Sequence, residues 1–136
     1  MATTTATITL SSADLTGDAL SLSSTATLTK AGNVTGLDQT TGVARKFFAA
    51  QQSGEALILA ADYTDDKAHK VYIKNISTTA AEFITIKIGV TEIGRLYAGD
   101  FMFIPWSADT TGTAADIDID TSAVNMTVEY LVIYEA

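Results

Sequence analysis

The sequence predicts an all-β protein folded as an antiparallel sandwich, and three features carry that prediction. Apolar residues recur with period two in several short runs, as a half-buried strand requires. The runs are separated by glycine-bearing turns, at Gly17, Gly32, Gly36 and Gly42 among others. The one run with helical propensity, residues 56–61 (ALILAA), is six residues long and follows Gly54, too short to compete with a strand.

Taken in chain order, Ile8 and Leu10 alternate with Thr, and Leu20, Leu22, Ala26 and Leu28 alternate with Ser and Thr. Two strands with β-branched Thr on the second face follow, and residues 31–41 read as a loop. Residues 2–44 hold no aromatic side chain and carry charge only at Asp14, Asp18, Lys30 and Asp38. They have little core of their own, so the segment is either part of the main sheet or an extended arm that pairs with a neighbouring subunit. Composition changes near Arg45. The expected division is residues 1–44 as an N-terminal arm or strand-swapped extension and residues 45–136 as the sandwich domain.

Within that domain, residues 43–49 and 55–60 are expected as strands around a turn at 51–54, followed by an acidic loop at 62–66. Residues 69–73, the Ile84, Ile86, Ile88 series and residues 93–97 continue the alternation. In the next strand Phe101, Phe103 and Pro105 face opposite to Met102, Ile104 and Trp106. The connections at 89–92 and 98–100 are short enough to predict antiparallel neighbours. Pro105, the only proline, marks a sheet edge because it cannot donate to a ladder. An Asp/Ile strand follows, then residues 124–134, which turn apolar on both faces at Leu131–Tyr134 and so need a central position or a partner. The sum is a sandwich of jelly-roll or related topology with a β-rich extended arm.

Composition bounds the function. With 136 residues, 47% apolar and 18% charged, one core is expected, with apolar surface left over for oligomeric contacts. The net charge of −8 and the scatter of the eight basic residues argue against nucleic acid, which needs Lys and Arg to displace counterions. No apolar run approaches the ~20 residues of a bilayer span, so no membrane role is expected. The absence of cysteine removes disulfides and thiolate metal sites.

Candidate chemistry is sparse. His69 is the single histidine, which excludes a two-histidine metal site within one chain, and its place before an alternating strand suggests an edge or turn role. Asp116, Asp118 and Asp120 open like an EF-hand loop, but Thr121 stands where Gly is needed and Thr127 where the bidentate Glu is needed. On a strand the three carboxylates would sit about 6.5–7 Å apart, too spread to wrap one ion. They are read as a solvated face over Ile117 and Ile119, with a weak calcium site as the alternative and no cofactor expected. Glu82, Glu92 and Glu129 have no sequence context as paired acids. Tyr97, Phe101, Phe103 and Trp106 are read as core, or else as a sugar-stacking platform. The sequons at Asn33, Asn75 and Asn125 are given no meaning.

The order YIKN, ITIKIG, G-x-L-x-AGDF-x-FIPW, the Asp/Ile strand and VEYLVIYEA, with ALSLSSTATLTKAG and GLDQTTGVARK upstream, resembles small virion structural proteins of tailed bacteriophages, especially phages of cyanobacteria. The resemblance implies a non-enzymatic capsid decoration or cement protein. Such a protein assembles in the host bacterial cytoplasm, sits on the capsid surface as a homotrimer, and bridges major capsid subunits. The alternative is a tail-tip, fibre or spike module that binds a host-surface carbohydrate or receptor. The expected partner interface comprises Ile8, Leu10, Leu20, Leu22, Leu28, Leu131, Ile133 and Tyr134.

Overall fold

The structure is a computed structural model that describes residues 3–15, 17–109 and 114–136. Strand β1 (Thr4–Ser12) pairs antiparallel with β2 (Leu20–Leu28) as a two-stranded hairpin. After it come β3 (Gln39–Thr40), β4 (Ala44–Phe48), β5 (Glu55–Ile58), β6 (His69–Asn75), β7 (Phe83–Ile88), β8 (Thr91–Tyr97), β9 (Phe101–Trp106), β10 (Ile117–Thr121) and β11 (Met126–Tyr134). The only helical element among the described residues is a 3-10 turn at Ala60–Asp62.

The eight strands from β4 onward divide between two antiparallel sheets, and the chain changes sheet at every connection except β7 to β8. One runs β4, β11, β6, β9, with β3 alongside β4 on the far end of β11; the other runs β5, β10, β7, β8. Successive strands therefore wrap around a shared core in the jelly-roll order. The inner faces are the alternating residues the sequence marks. Val71, Ile73, Val128 and Val132 from the first sheet meet Ile84, Ile86, Ile117 and Ile119 from the second, none exposed above 1%. Each such side chain contributes about 1.5–3 kcal/mol of burial, against which conformational entropy is set.

Several expectations need correction. The 98–100 connection does not join antiparallel neighbours: β8 pairs with β7 in one sheet and β9 with β6 in the other, so the three residues cross between sheets. Short loops force antiparallel pairing only when both strands share a sheet, and here the chain turns over the open end of the sandwich. His69 is not at an edge, since β6 lies between β11 and β9 and His69 is 1% exposed. The strand from Glu55 stops at Ile58, because Ala60 enters the 3-10 turn. Residues 31–41 are not all loop: β3 pairs with Tyr134 and Ile133, and Thr29 bridges Gly36. Pro105 does lie on an edge strand, β9.

Gly89 is fixed by space as well as by backbone. Its φ is +56°, and a Cβ there would meet the Ala114 oxygen at 2.5 Å, while its N–H donates to the Asp116 carbonyl at 2.8 Å. Only glycine fits a turn that close to a neighbouring backbone.

Candidate partner-binding site

The hairpin is two-faced because its register is even. Ala6 opposes Ala26, Ile8 opposes Ser24, Leu10 opposes Leu22 and Ser12 opposes Leu20, which places every apolar residue of both strands on one face. The other face is all hydroxyl: Thr5 with Thr27, Thr7 with Thr25, Thr9 with Ser23, Ser11 with Ser21. There the Thr7 and Thr25 oxygens lie 2.8 Å apart, within hydrogen-bond distance.

Its base is tied to the sandwich. Leu28 and Leu37 are buried, the Leu37 N–H donates to the Leu28 carbonyl at 2.9 Å, and the Thr4 hydroxyl donates to the Leu37 carbonyl at 3.4 Å. Glu135 accepts the Ala31 N–H at 2.9 Å and faces Lys67 at 3.5 Å. The Ala31 N–H, then that of Ala68 and the Lys67 charge, hold the Glu135 carboxyl below its ordinary range. Beyond the base, β1 and β2 pair with no strand of the sandwich.

Opposite the apolar face of the hairpin lies the outer face of the β4, β11, β6, β9 sheet. Tyr72 stands at its centre, in register with Leu131 on one side and Phe103 on the other. Its ring lies 6.2 Å from that of Phe101, and its hydroxyl donates to Glu129 at 3.4 Å. Burial and then the Glu129 charge raise the Tyr72 pKa. Arg45 completes the group, its Nε donating to Glu129 at 2.9 Å. Between hairpin and sheet runs a groove of about 920 Å³ lined by Ile8, Leu10, Tyr72, Phe101 and Phe103 with their neighbours.

The eight expected interface residues divide. Ile8, Leu10, Leu20 and Leu22 are 38–47% exposed on the apolar face of the hairpin. Leu131 and Ile133 are half-buried on the outer face of β11, where Thr4, Leu37 and Thr40 of the same chain border them. Leu28 is inside, at 5% exposure. Tyr134 is half-buried against its own chain, its ring 5.2 Å from that of Tyr63 and 6.4 Å from that of His69.

The other candidates resolve as follows. Trp106 is core, its indole N–H donating to the Ala115 carbonyl at 2.8 Å, but Tyr97, Phe101 and Phe103 are 37–58% exposed, so the core reading fails for those three. Tyr97 packs on Phe83 on the outer face of the other sheet, so it shares no platform with Phe101 and Phe103. What sequence reasoning missed is the pairing of Tyr72 with them, because a cross-strand neighbour is invisible until register is known. His69 sits among Tyr63, Trp106 and Tyr134, and among the described residues neither ring nitrogen has a hydrogen-bond partner. Burial lowers its pKa; the backbone of Lys67 and Trp106, outside good hydrogen-bond geometry, pulls weakly the other way. Burial also pushes the neighbouring Tyr63 hydroxyl up to about 12.

The three aspartates are not one solvated row. Asp116 is buried and accepts the Ala60 N–H at 2.8 Å; Asp120 accepts the Gly54 N–H and pairs with Lys87 at 2.6 Å. Burial raises the Asp120 pKa, but Lys87 and Gly54 outweigh it and leave it lowered. Burial, then the Asp116 charge, raise that of Asp118. Among the described residues no group of three His, Asp or Glu side chains is arranged to hold a metal. No family model, no curated protein and no solved structure matches this chain.

Proposed function

We propose that this protein is a non-enzymatic structural component of a phage particle, a decoration protein that binds the outer shell and bridges major capsid subunits. The observation that supports this most is the hairpin: a two-faced ribbon carried outside a jelly roll, with Ile8, Leu10, Leu20 and Leu22 exposed on one face. An apolar face held out in water is stabilised by covering it, and a partner surface can do so. The jelly roll itself is an architecture of viral shells, which supports the reading by analogy of fold. Closed cyclic self-association, a trimer in this reading, would cover further exposed residues such as Phe47 and Ile93.

A second reading, a tail-tip or spike module that binds a host-surface carbohydrate, draws on the grouping of Tyr72, Phe101 and Phe103 on one accessible face. Copy number separates the two. Quantitative mass spectrometry of purified particles should give a copy number comparable with that of the major capsid protein; a few copies per particle would favour the tail-tip reading and reject decoration. Removal of residues 1–27 should abolish binding to empty capsids.

A further inference from the structure

We infer that mild acid loosens the hairpin from the sandwich: protonation of the buried His69 ring opens the last rung of its sheet and draws Glu135 off the hairpin base. The device is independent of what the hairpin binds.

Three strands end together at His69. β6 begins there, β11 ends at Tyr134 and β9 ends at Trp106, and the three residues stand in register across the sheet. His69 is 1% exposed, with the rings of Tyr63, Trp106 and Tyr134 around it and no hydrogen-bond partner on either nitrogen among the described residues. A protonated imidazole carries two N–H donors, and a buried cation without acceptors is costly. The ring must therefore stay neutral or reach water. Opening this one terminal rung reaches water without breaking the rungs at the sheet centre, and such local openings need far less free energy than unfolding.

The residue just past the rung is the staple of the hairpin. The Glu135 N–H donates to the Ala68 carbonyl at 3.0 Å. Its carboxylate accepts the Ala31 N–H at 2.9 Å and the Ala68 N–H at 3.5 Å, and pairs with Lys67 at 3.5 Å. Ala31 lies just past the end of β2, so one carboxylate joins the hairpin base to the end of β6. A rung that opens carries Glu135 away from Ala31. The hairpin is then left with its other tie, the Leu37 bonds to Leu28 and Thr4.

The groups around the ring fix the trigger. They are Asp62 and Tyr63 from the 3-10 turn, with Tyr130 beyond Tyr63; Tyr134 and Glu135 from the end of β11; and Lys67 and Lys70 from β6 and its approach. Across space Glu135 favours a charged ring and Lys70 opposes it, so the emerging imidazolium competes with Ala31 for Glu135. The Ala31 N–H holds the Glu135 carboxyl below its ordinary range, so Glu135 stays charged between pH 5 and 7 and cannot itself be the trigger. Burial favours the neutral ring while the rung is closed. Opening therefore grows as pH falls below 6.5, by at most about tenfold per pH unit, and levels off below the closed-state pKa.

The test is NMR on the full chain at pH 7.0 and 5.5. Hydrogen-exchange protection of the Glu135 amide, corrected for intrinsic rates, should fall about three- to eightfold in acid, while amides of β7 and β10 hold. The Ala31 amide resonance should move away from its carboxylate-bonded position, and relaxation of residues 5–11 should show faster motion. His69→Phe should abolish the acid response. Glu135→Ala should leave the hairpin equally loose at both pH values while the Trp106 and Tyr134 rings still respond to acid. Titration of the His69 ring in the unmutated protein needs no variant to fold. A ring that titrates at or above 6.5 would mean that the three aromatic faces hold the imidazolium, and overturns the inference. So does an unmoved Ala31 resonance, an equal response in His69→Phe, or a loss of protection shared by the whole sandwich.

Discussion

The side-chain amide of Asn75 donates to the main-chain oxygen of Leu96 at 3.0 Å, so the last residue of β6 in one sheet holds the end of β8 in the other. The same amide reaches the Glu82 carbonyl at 3.2 Å, and its oxygen accepts the Ser77 N–H at 3.0 Å. The backbone of Asn75 exchanges a further pair of bonds with Asp100 and Gly99. One fully buried side chain thus satisfies the polar groups freed where the chain crosses between sheets, groups that would otherwise be costly inside.

Asn75→Ala should therefore destabilise the fold by about 3 kcal/mol, near 1 kcal/mol for each lost bond, leaving carbonyls unpaired. Asn75→Asp adds a pH signature. Its carboxyl would face two carbonyl oxygens, raising its folded pKa above the unfolded value near 4. The folded state then binds more protons, and stability falls as pH rises through that folded pKa. Urea unfolding at pH 4 and pH 7 checks it; equal stability at both would show that the carboxylate turns away.

How much of this was readable in the sequence follows from what each signal measures. Period two reports which residues face inward, and Ile84, Ile86, Ile117, Ile119, Val71 and Ile73 all do. It carries no information on which strand is the neighbour. That is why residues 98–100 were expected to join paired strands, although β8 and β9 belong to different sheets. It also explains the missed group of Tyr72 with Phe101 and Phe103, which register alone brings together. His69 was misplaced for a different reason. A histidine is polar in the sequence, and nothing local announces that Trp106 and Tyr134, from distant strands, join nearby Tyr63 in a ring cluster around it.

His69 makes acid sensitivity begin early. Its folded pKa lies below the ordinary 6.5, so between the two values the unfolded state binds more protons. Stability is full above pH 6.5 and declines as pH falls from there to the folded pKa. Glu135, whose folded pKa is also lowered, loses its contribution only below about pH 4.5. Charges near His69 are Glu135 and Lys70, with the Tyr63 hydroxyl, pushed up to about 12, neutral over this range. His69→Phe should flatten the stability profile between pH 5 and 7 while retaining the ring packing. An unchanged profile would place the acid response elsewhere.

The aspartate strand should respond to charge and not to metal. Asp118→Asn is expected to be neutral or mildly stabilising at pH 7, because it relieves burial and the Asp116 charge. Asp120→Ala should cost about 1 kcal/mol through loss of the Lys87 and Gly54 partners. Chelation with EDTA should leave the melting temperature unchanged. A melting temperature that climbs with the logarithm of calcium concentration would instead establish an ion site.

Gly89→Ala tests the one turn where two constraints coincide. Positive φ and a 2.5 Å approach to the Ala114 oxygen act together, and strain of this kind costs about 1–3 kcal/mol for each cause. The loss should appear in thermal unfolding, whereas Gly42→Ala, with positive φ but open space, should cost less.

The hairpin should be separable from the fold. Its strands pair with each other, and its apolar residues are largely in water, so β1 and most of β2 contribute little to the core. Leu28 and Leu37 are different, since both are buried at the base, and β3 with Thr41 is bonded to β11. Removal of residues 1–27 should keep the near-ultraviolet circular dichroism of Trp106 and shift the unfolding free energy by about 1 kcal/mol or less, in the range of surface changes. Leu28→Ala should cost about 2–4 kcal/mol, as a core truncation does, and Leu22→Ala under about 1 kcal/mol. If removal of residues 1–27 unfolds the chain, or if Leu22→Ala matches Leu28→Ala, the hairpin is packed onto the sheet in solution and its apolar face is not free to receive a partner.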